Sequence, residues 1–72
     1  MNEVPISDAS IRLGQFLKLA GLADSGADAR LLLEDGVVTV NGEPETRRGR
    51  QLQRGDVVAV AHPRGEERAT VG

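Results

Sequence analysis

The chain has no cysteine, tryptophan or tyrosine, and only one histidine and one phenylalanine. Without cysteine, neither a disulfide nor a thiolate-bound metal can stabilise it, and His62 alone does not make a zinc site. Phe16 is the sole aromatic residue, so stacking of bases on several aromatic side chains is excluded. No apolar run approaches the ~18 residues of a membrane span, and the N-terminus lacks the apolar core of a signal peptide. We therefore expect a cytoplasmic protein.

Neither sign of charge dominates, since nine lysines and arginines face eleven acidic residues in 72, for a net charge of −2. A length of 72 residues fits one small domain. The net charge, taken alone, argues against a nucleic-acid partner. The average conceals a separation, however. Residues 47–54 hold four arginines and no acid, whereas residues 24–46 hold six acids and one arginine. This pattern predicts one basic and one acidic surface.

Apolar spacing predicts two short helices. One helix face is formed by residues at i, i+3, i+4 and i+7, namely Leu13, Phe16, Leu17 and Ala20. Gly21 is a plausible stop for this helix. The S-x-x-D pattern of Ser25 and Asp28 is typical of a capping box that opens a second helix, and Gly36 is placed to end it.

β-Strands are predicted in the second half of the chain. The run 37–40 ends at Asn41-Gly42, a strong hairpin signal, and Gly55-Asp56 precedes a second valine-rich run at 57–60. Alternation predicts that four valines, or else their neighbours in each run, face the core: Val38, Val40, Val58 and Val60. We expect an α+β fold, with two short helices packed on a small, mostly antiparallel sheet. The expected divisions are an irregular segment 1–10, a domain 11–61 and a segment 62–72, with a last short strand at 68–71.

From residue 12 to residue 60 the sequence resembles the S4 RNA-binding domain. The likeness rests on Arg12-Leu13 with Phe16-Leu17, on Ser25 with the following apolar face, and on two turn motifs. Residues 36–42 resemble the family's G-x-V-x-V-N-G signature, and residues 55–58 resemble its closing G-D-x-[IV] motif. Residues 13–20, Ser25-Gly26 and residues 47–50 are also similar to the small stand-alone S4 proteins of the bacterial YaaA/YbcJ group.

The resemblance implies an S4-like (αL motif) fold that binds RNA through the two helices and the first β-turn. Together with the basic run, it indicates eight RNA-binding residues: Arg12, Lys18, Ser25, Arg30, Arg47, Arg48, Arg50 and Arg54. The sequence departs from the family at Gly14, where many S4 domains have Asp, and at Gly26, where many have a basic residue.

Structural roles compete with RNA contact at five of these positions. For Ser25 the competing role is that of an ordinary N-cap, and we favour it over RNA contact. The competing roles of Arg30 and Arg54 are pairing with Glu34 at i+4 and with Asp56, and we favour neither over RNA contact. The competing role of Arg12 is to cap or brace the sheet, and that of Lys18 is to be a merely solvated side chain.

The expected function is that of a non-enzymatic protein that binds structured RNA of the ribosomal or transfer class by phosphate contacts. The alternative is a protein-interaction adaptor in ribosome assembly or replication machinery, which would dock through the acidic stretch 24–46 or through the arginine cluster. The net charge of −2 keeps this alternative open. We expect no catalysis, because no nucleophile–base arrangement, phosphate loop or metal cluster is recognisable. We also expect no cofactor, no membrane association and a monomer.

Overall fold

Nine elements follow one another in the computed structural model, which describes residues 2–72. The strands are β1 (Asn2–Val4), β2 (Ser10–Arg12), β3 (Val38–Val40), β4 (Glu43–Pro44), β5 (Gln51–Gln53), β6 (Val57–His62) and β7 (Gly65–Val71). The helices α1 (Leu13–Leu19) and α2 (Gly26–Glu34) both precede β3. The expected α+β fold is confirmed.

The strands form two sheets. Five of them lie in the order β1-β7-β6-β3-β4, in which only the β1–β7 pair is parallel. The other two, β2 and β5, pair antiparallel in a separate sheet that places Arg12 opposite Gln51. This small sheet joins the start of α1 to the basic run, so it determines where the arginines lie.

The core forms where the helices meet the larger sheet. All four predicted core valines are buried, and β3 and β6 pair them as Val38 with Val60 and Val40 with Val58. They share one cluster with buried residues of the helices: Leu13, Phe16, Leu17, Ala29 and Leu33. Helices of seven and nine residues are too short to be stable alone in water, so this packing stabilises them.

Both helices end in Schellman motifs at the predicted glycines. Gly21 and Gly36 have φ of 74° and 72°, in the left-handed region that glycine adopts without strain. After α2, the Gly36 N–H donates to the Leu33 carbonyl at 3.2 Å and the Val37 N–H to that of Leu32 at 3.5 Å. The same pair of bonds ends α1, so the loop that leads to α2 leaves in a defined direction.

The two turn motifs are joined through their side chains. The Asn41 amide donates to Asp56 Oδ1 at 3.1 Å, and its oxygen accepts from the Val57 N–H at 2.9 Å. The other Asp56 oxygen accepts from the Gln53 N–H at 2.8 Å. The hairpin between β3 and β4 is thereby fastened to the turn between β5 and β6.

The chain ends differ from the expectation. The prediction of an irregular N-terminal segment is wrong for Asn2–Val4, which form β1, and for Ser10, which begins β2. The last strand is longer than predicted and runs over Gly65–Val71. Residues 65–68 are exposed, so this half of β7 has no buried face to produce an alternating pattern. The pairing of β1 with β7 joins the two ends of the sequence, and local patterns carry no signal for it.

Candidate nucleic-acid interface

The N-terminus of α1 is covered by main-chain carbonyls of residues 47–50, which we call the arginine loop. Arg12 precedes the helix and makes no side-chain cap. Instead, the Leu13 N–H donates to the Arg50 carbonyl at 2.8 Å, and the Gly14 N–H donates to the Arg48 carbonyl at 3.0 Å. These bonds satisfy two of the N–H groups that a helix start leaves open, and they fasten the loop to the helix.

Arg48 crosses the helix directly over Gly14. A Cβ on residue 14 would overlap Arg48 Cγ and lie 3.0 Å from Arg48 Cδ. Residue 14 is buried beneath this side chain. The close approach explains why glycine stands where many S4 domains have aspartate: any larger residue would displace the arginine.

A buried carboxylate holds the other two arginines of the loop. Glu45 is only 8% exposed, and its Oε1 accepts from Arg47 Nη2 at 3.2 Å and from Arg50 Nη1 at 3.3 Å. Its Oε2 accepts from the Thr46 N–H at 3.0 Å. The Arg47 side-chain bond, helped by the N–H groups of Arg47 and Thr46, lowers the pKa of Glu45 to about 2, although burial acts to raise it. Glu45 is therefore ionised at neutral pH and offsets part of the loop's charge.

Sequence reasoning counted Glu45 with the acidic stretch and missed this role. The available signal was its position two residues before Arg47 and five before Arg50. An acid so close to a basic run is as readily an ion-pair partner as part of a separate acidic surface.

Three cationic side chains converge on one open groove. Arg12, Lys18 and Arg48 line it with Gln15, three glycines complete the lining, and the groove encloses about 340 Å³. All three cations are exposed, and among residues 2–72 none of their side chains forms an ion pair or hydrogen bond. We call this the cationic groove. It presents three positive charges that are not paired with any carboxylate of residues 2–72.

The start of α2 reaches the same groove through Gly26. The Ser25 Oγ accepts from the Asp28 N–H at 3.1 Å. Ser25 is therefore the N-cap of α2, which is the structural role predicted for it. The Asp28 carboxylate in turn accepts from the Asp24 N–H at 3.1 Å. Within the described residues the N–H groups of Gly26 and Ala27 form no hydrogen bond, and they remain open to a ligand.

The remaining predicted residues lie outside the cationic groove. Arg30 pairs with Glu34 at 3.0 Å, the competing role named for it. Arg54 Nη2 donates to the Ile6 carbonyl at 3.0 Å and makes no bond to Asp56. RNA contact by any of the eight residues stays a prediction.

No helix in the described part of the chain is long and apolar enough to cross a membrane.

Comparison with known proteins identifies the family. The pattern of the family described as "S4 domain" matches residues 4–67. The chain is 49% identical over 59 residues to the "Probable ribosome maturation protein RlbA" of Bacillus subtilis (strain 168), covering 82% of this chain and 83% of that protein. It is 37% identical over 51 residues to the "Putative RNA-binding protein YbcJ" of Escherichia coli (strain K12), covering 71% and 73% of the two chains. The predicted resemblance is thus confirmed, and the chain belongs to the S4 domain family.

Proposed function

We propose that this protein is a non-enzymatic RNA-binding protein that recognises structured RNA through phosphate contacts in the cationic groove. The observation that carries the proposal is the convergence of Arg12, Lys18 and Arg48 on one surface without carboxylate partners. Guanidinium groups bind two phosphate oxygens at once, and a lysine ammonium contributes a mobile point charge. The open N–H groups at the start of α2 favour an anion at the same place.

Structured RNA is favoured over single strands because the protein has no exposed aromatic surface. Phe16 is fully buried in the core. Shape and phosphate contacts therefore carry recognition, as they do for most double-stranded RNA. The acidic remainder of the chain repels RNA elsewhere and confines binding to this groove.

Ribosomal RNA is the target class that the relatives favour. The relative from Bacillus subtilis is named as a probable ribosome maturation protein, and the one from Escherichia coli as a putative RNA-binding protein. We propose that this chain likewise binds ribosomal RNA during ribosome maturation, with transfer RNA as the second choice. Ribosomes of bacteria mature in the cytoplasm, so the proposal retains the expected location.

We divide the predicted binding residues into three roles. In the proposal, Arg12, Lys18 and Arg48 contact phosphates. Arg47 and Arg50 share one carboxylate, so together they add a single net charge to the field around the groove. The remaining three residues support the fold first: Ser25, Arg30 and Arg54.

The test is charge reversal inside and outside the groove. Arg48→Glu is compared with Arg64→Glu, because Arg64 is exposed in the β6–β7 turn and the two variants have the same net charge. We expect Arg48→Glu to abolish the gel shift of a ribosomal RNA fragment and Arg64→Glu to preserve it, with circular dichroism unchanged in both. Three phosphate contacts predict a slope of log K against log salt of about −2 to −3. Equal losses in the two variants would show that binding is not localised in the groove.

A further inference from the structure

A second groove lies against the cationic groove on the surface of α1. It runs between α1 and the segment 5–10, encloses about 660 Å³, and shares Gln15 and Lys18 with the cationic groove. An RNA backbone that follows the cationic groove therefore passes the mouth of this second groove. We call it the side groove.

The chemistry of the side groove does not suit a phosphate. Its apolar lining comes from Ile6, which is buried, Ile11, which is half-buried, and Leu19, which is 54% exposed. Its one cation, Lys18, is shared with the cationic groove, and its other charged lining residue is the carboxylate Asp8, so it has no further cation to offer a phosphate. Such a surface fits an uncharged group that has apolar faces and a hydrogen-bonding edge.

Polar atoms are available at the rim for that edge. The hydroxyls of Ser7 and Ser10 and the amide of Gln15 both donate and accept, and the carboxylate of Asp8 only accepts. Asp8 would repel a second phosphate and accept from an amino group. Nucleobases present such amino groups together with flat apolar faces.

The outer wall of the side groove is held in place before any ligand binds. The Ile6 N–H donates to the Gly72 carbonyl at 3.3 Å, and the Ile6 carbonyl accepts from Arg54 Nη2 at 3.0 Å. Ile11 lies in β2 and is paired with Leu52. Arg54, predicted to contact RNA, thus fastens the wall of this groove. A wall that is already ordered loses little conformational entropy when a ligand binds.

We propose that the side groove receives one unpaired nucleobase of the RNA whose phosphates lie in the cationic groove. The inference rests on the proposed function and adds to it a preference for an RNA with an extrahelical nucleotide. Two observations favour a base over a phosphate or an acidic peptide: the two grooves are continuous through Gln15 and Lys18, and Asp8 repels a further anion. The base contacts aliphatic side chains, since the only aromatic residue is buried.

The experiment compares two RNA hairpins with the same stem, one fully paired and one with a single unpaired adenosine. Leu19→Ser is the test variant, and Leu31→Ser is the matched control, because Leu31 is 56% exposed on α2 and does not line the side groove. We expect the wild type and Leu31→Ser to bind the bulged hairpin about fivefold more tightly than the paired one, because the base covers apolar surface of the groove. Leu19→Ser should bind both alike, with an unchanged salt dependence.

Three results would overturn the inference while leaving the proposed function intact. They are equal binding of both hairpins by the wild type, a retained preference in Leu19→Ser, and an equal loss in Leu31→Ser. Self-association of the wild type in sedimentation, if it is lost only in Leu19→Ser, would instead assign the side groove to a second copy of the chain. That result would also overturn the inference. If neither the wild type nor Arg48→Glu binds either hairpin, the proposed function is contradicted as well.

Discussion

The stem of Arg48 lies across Gly14, so closely that a Cβ on residue 14 would overlap Arg48 Cγ. The main chains of the two residues are also joined, by the 3.0 Å bond from the Gly14 N–H to the Arg48 carbonyl. The helix start and the arginine that it presents to the cationic groove therefore form one structural unit. The absence of a side chain at residue 14 is what lets Arg48 take this path.

Gly14→Ala tests this relationship. In a helix, alanine is normally favoured over glycine by about 0.5–1 kcal/mol. Here the new methyl group displaces Arg48 at its root, so we expect no gain in stability and a clear loss of RNA affinity. In an Arg48→Ala background the obstacle is gone, and the same change should stabilise the protein by the usual amount. Urea unfolding of the four proteins measures the coupling, and additive free energies of unfolding would contradict the predicted contact.

Glu45 makes the protein sensitive to acid. Its pKa in the folded protein is lowered to about 2 from an ordinary 4.5, so the ionised form stabilises the fold. The contribution of ionised Glu45 to the free energy of unfolding is complete above about pH 4.5. It is lost as the pH falls from about 4.5 toward 2. We expect Glu45→Gln to lower the melting temperature at pH 7 and to show a flatter decline below pH 4.5.

The matched control is Glu43→Gln in the neighbouring strand β4. Glu43 is exposed, and its side chain forms no ion pair among residues 2–72. This variant should melt near the wild-type temperature at neutral pH. If both variants lose the same stability, the network of Glu45 with Arg47 and Arg50 has no special role.

Ser25→Ala separates capping from RNA contact. The Oγ of Ser25 accepts from the Asp28 N–H, and removing an N-cap of this kind costs about 1 kcal/mol. We expect that loss in urea unfolding, restored by Ser25→Asn, while the RNA affinity of the folded variant is unchanged. A loss of affinity without a loss of stability would assign Ser25 to the RNA surface instead.

Asn41 combines a backbone role and a side-chain role in the first turn. Its φ is 53°, and its amide bonds both Asp56 and the Val57 N–H. Asn41→Ala loses these bonds and puts alanine in the left-handed region, which asparagine tolerates but which costs most other residues with a Cβ about 1–2 kcal/mol for the backbone alone. Asn41→Gly loses only the bonds and should be the less destabilised variant. The reverse order in thermal or urea unfolding would show that the backbone conformation carries no strain.

Local signals sufficed for the two helices, the two valine-rich strands and the family. The spacing of Leu13, Phe16 and Leu17 predicts the buried face of α1, because a helix of 3.6 residues per turn brings these positions together. The glycines after each helix and the Asn41-Gly42 turn are required by positive φ, a property of single residues. Alternating valines predict their own inward orientation. For the same reason, the S4 motifs are recognisable without any tertiary information.

The sequence by itself determined the two helices, the valine core, the turns and the S4 family, since each depends on neighbours within a few residues. Only the tertiary structure decided which arginines are available. Folding turns Glu45 inward against Arg47 and Arg50, carries Arg54 to Ile6, and brings Arg48 beside Arg12 and Lys18. The tertiary structure also decided the pairings of β1 with β7 and of β2 with β5, because these strands lie far apart in the sequence. Electrostatic and packing energies depend on distance in space. The sequence therefore shows which charged residues are present, whereas the fold decides which of them remain unpaired.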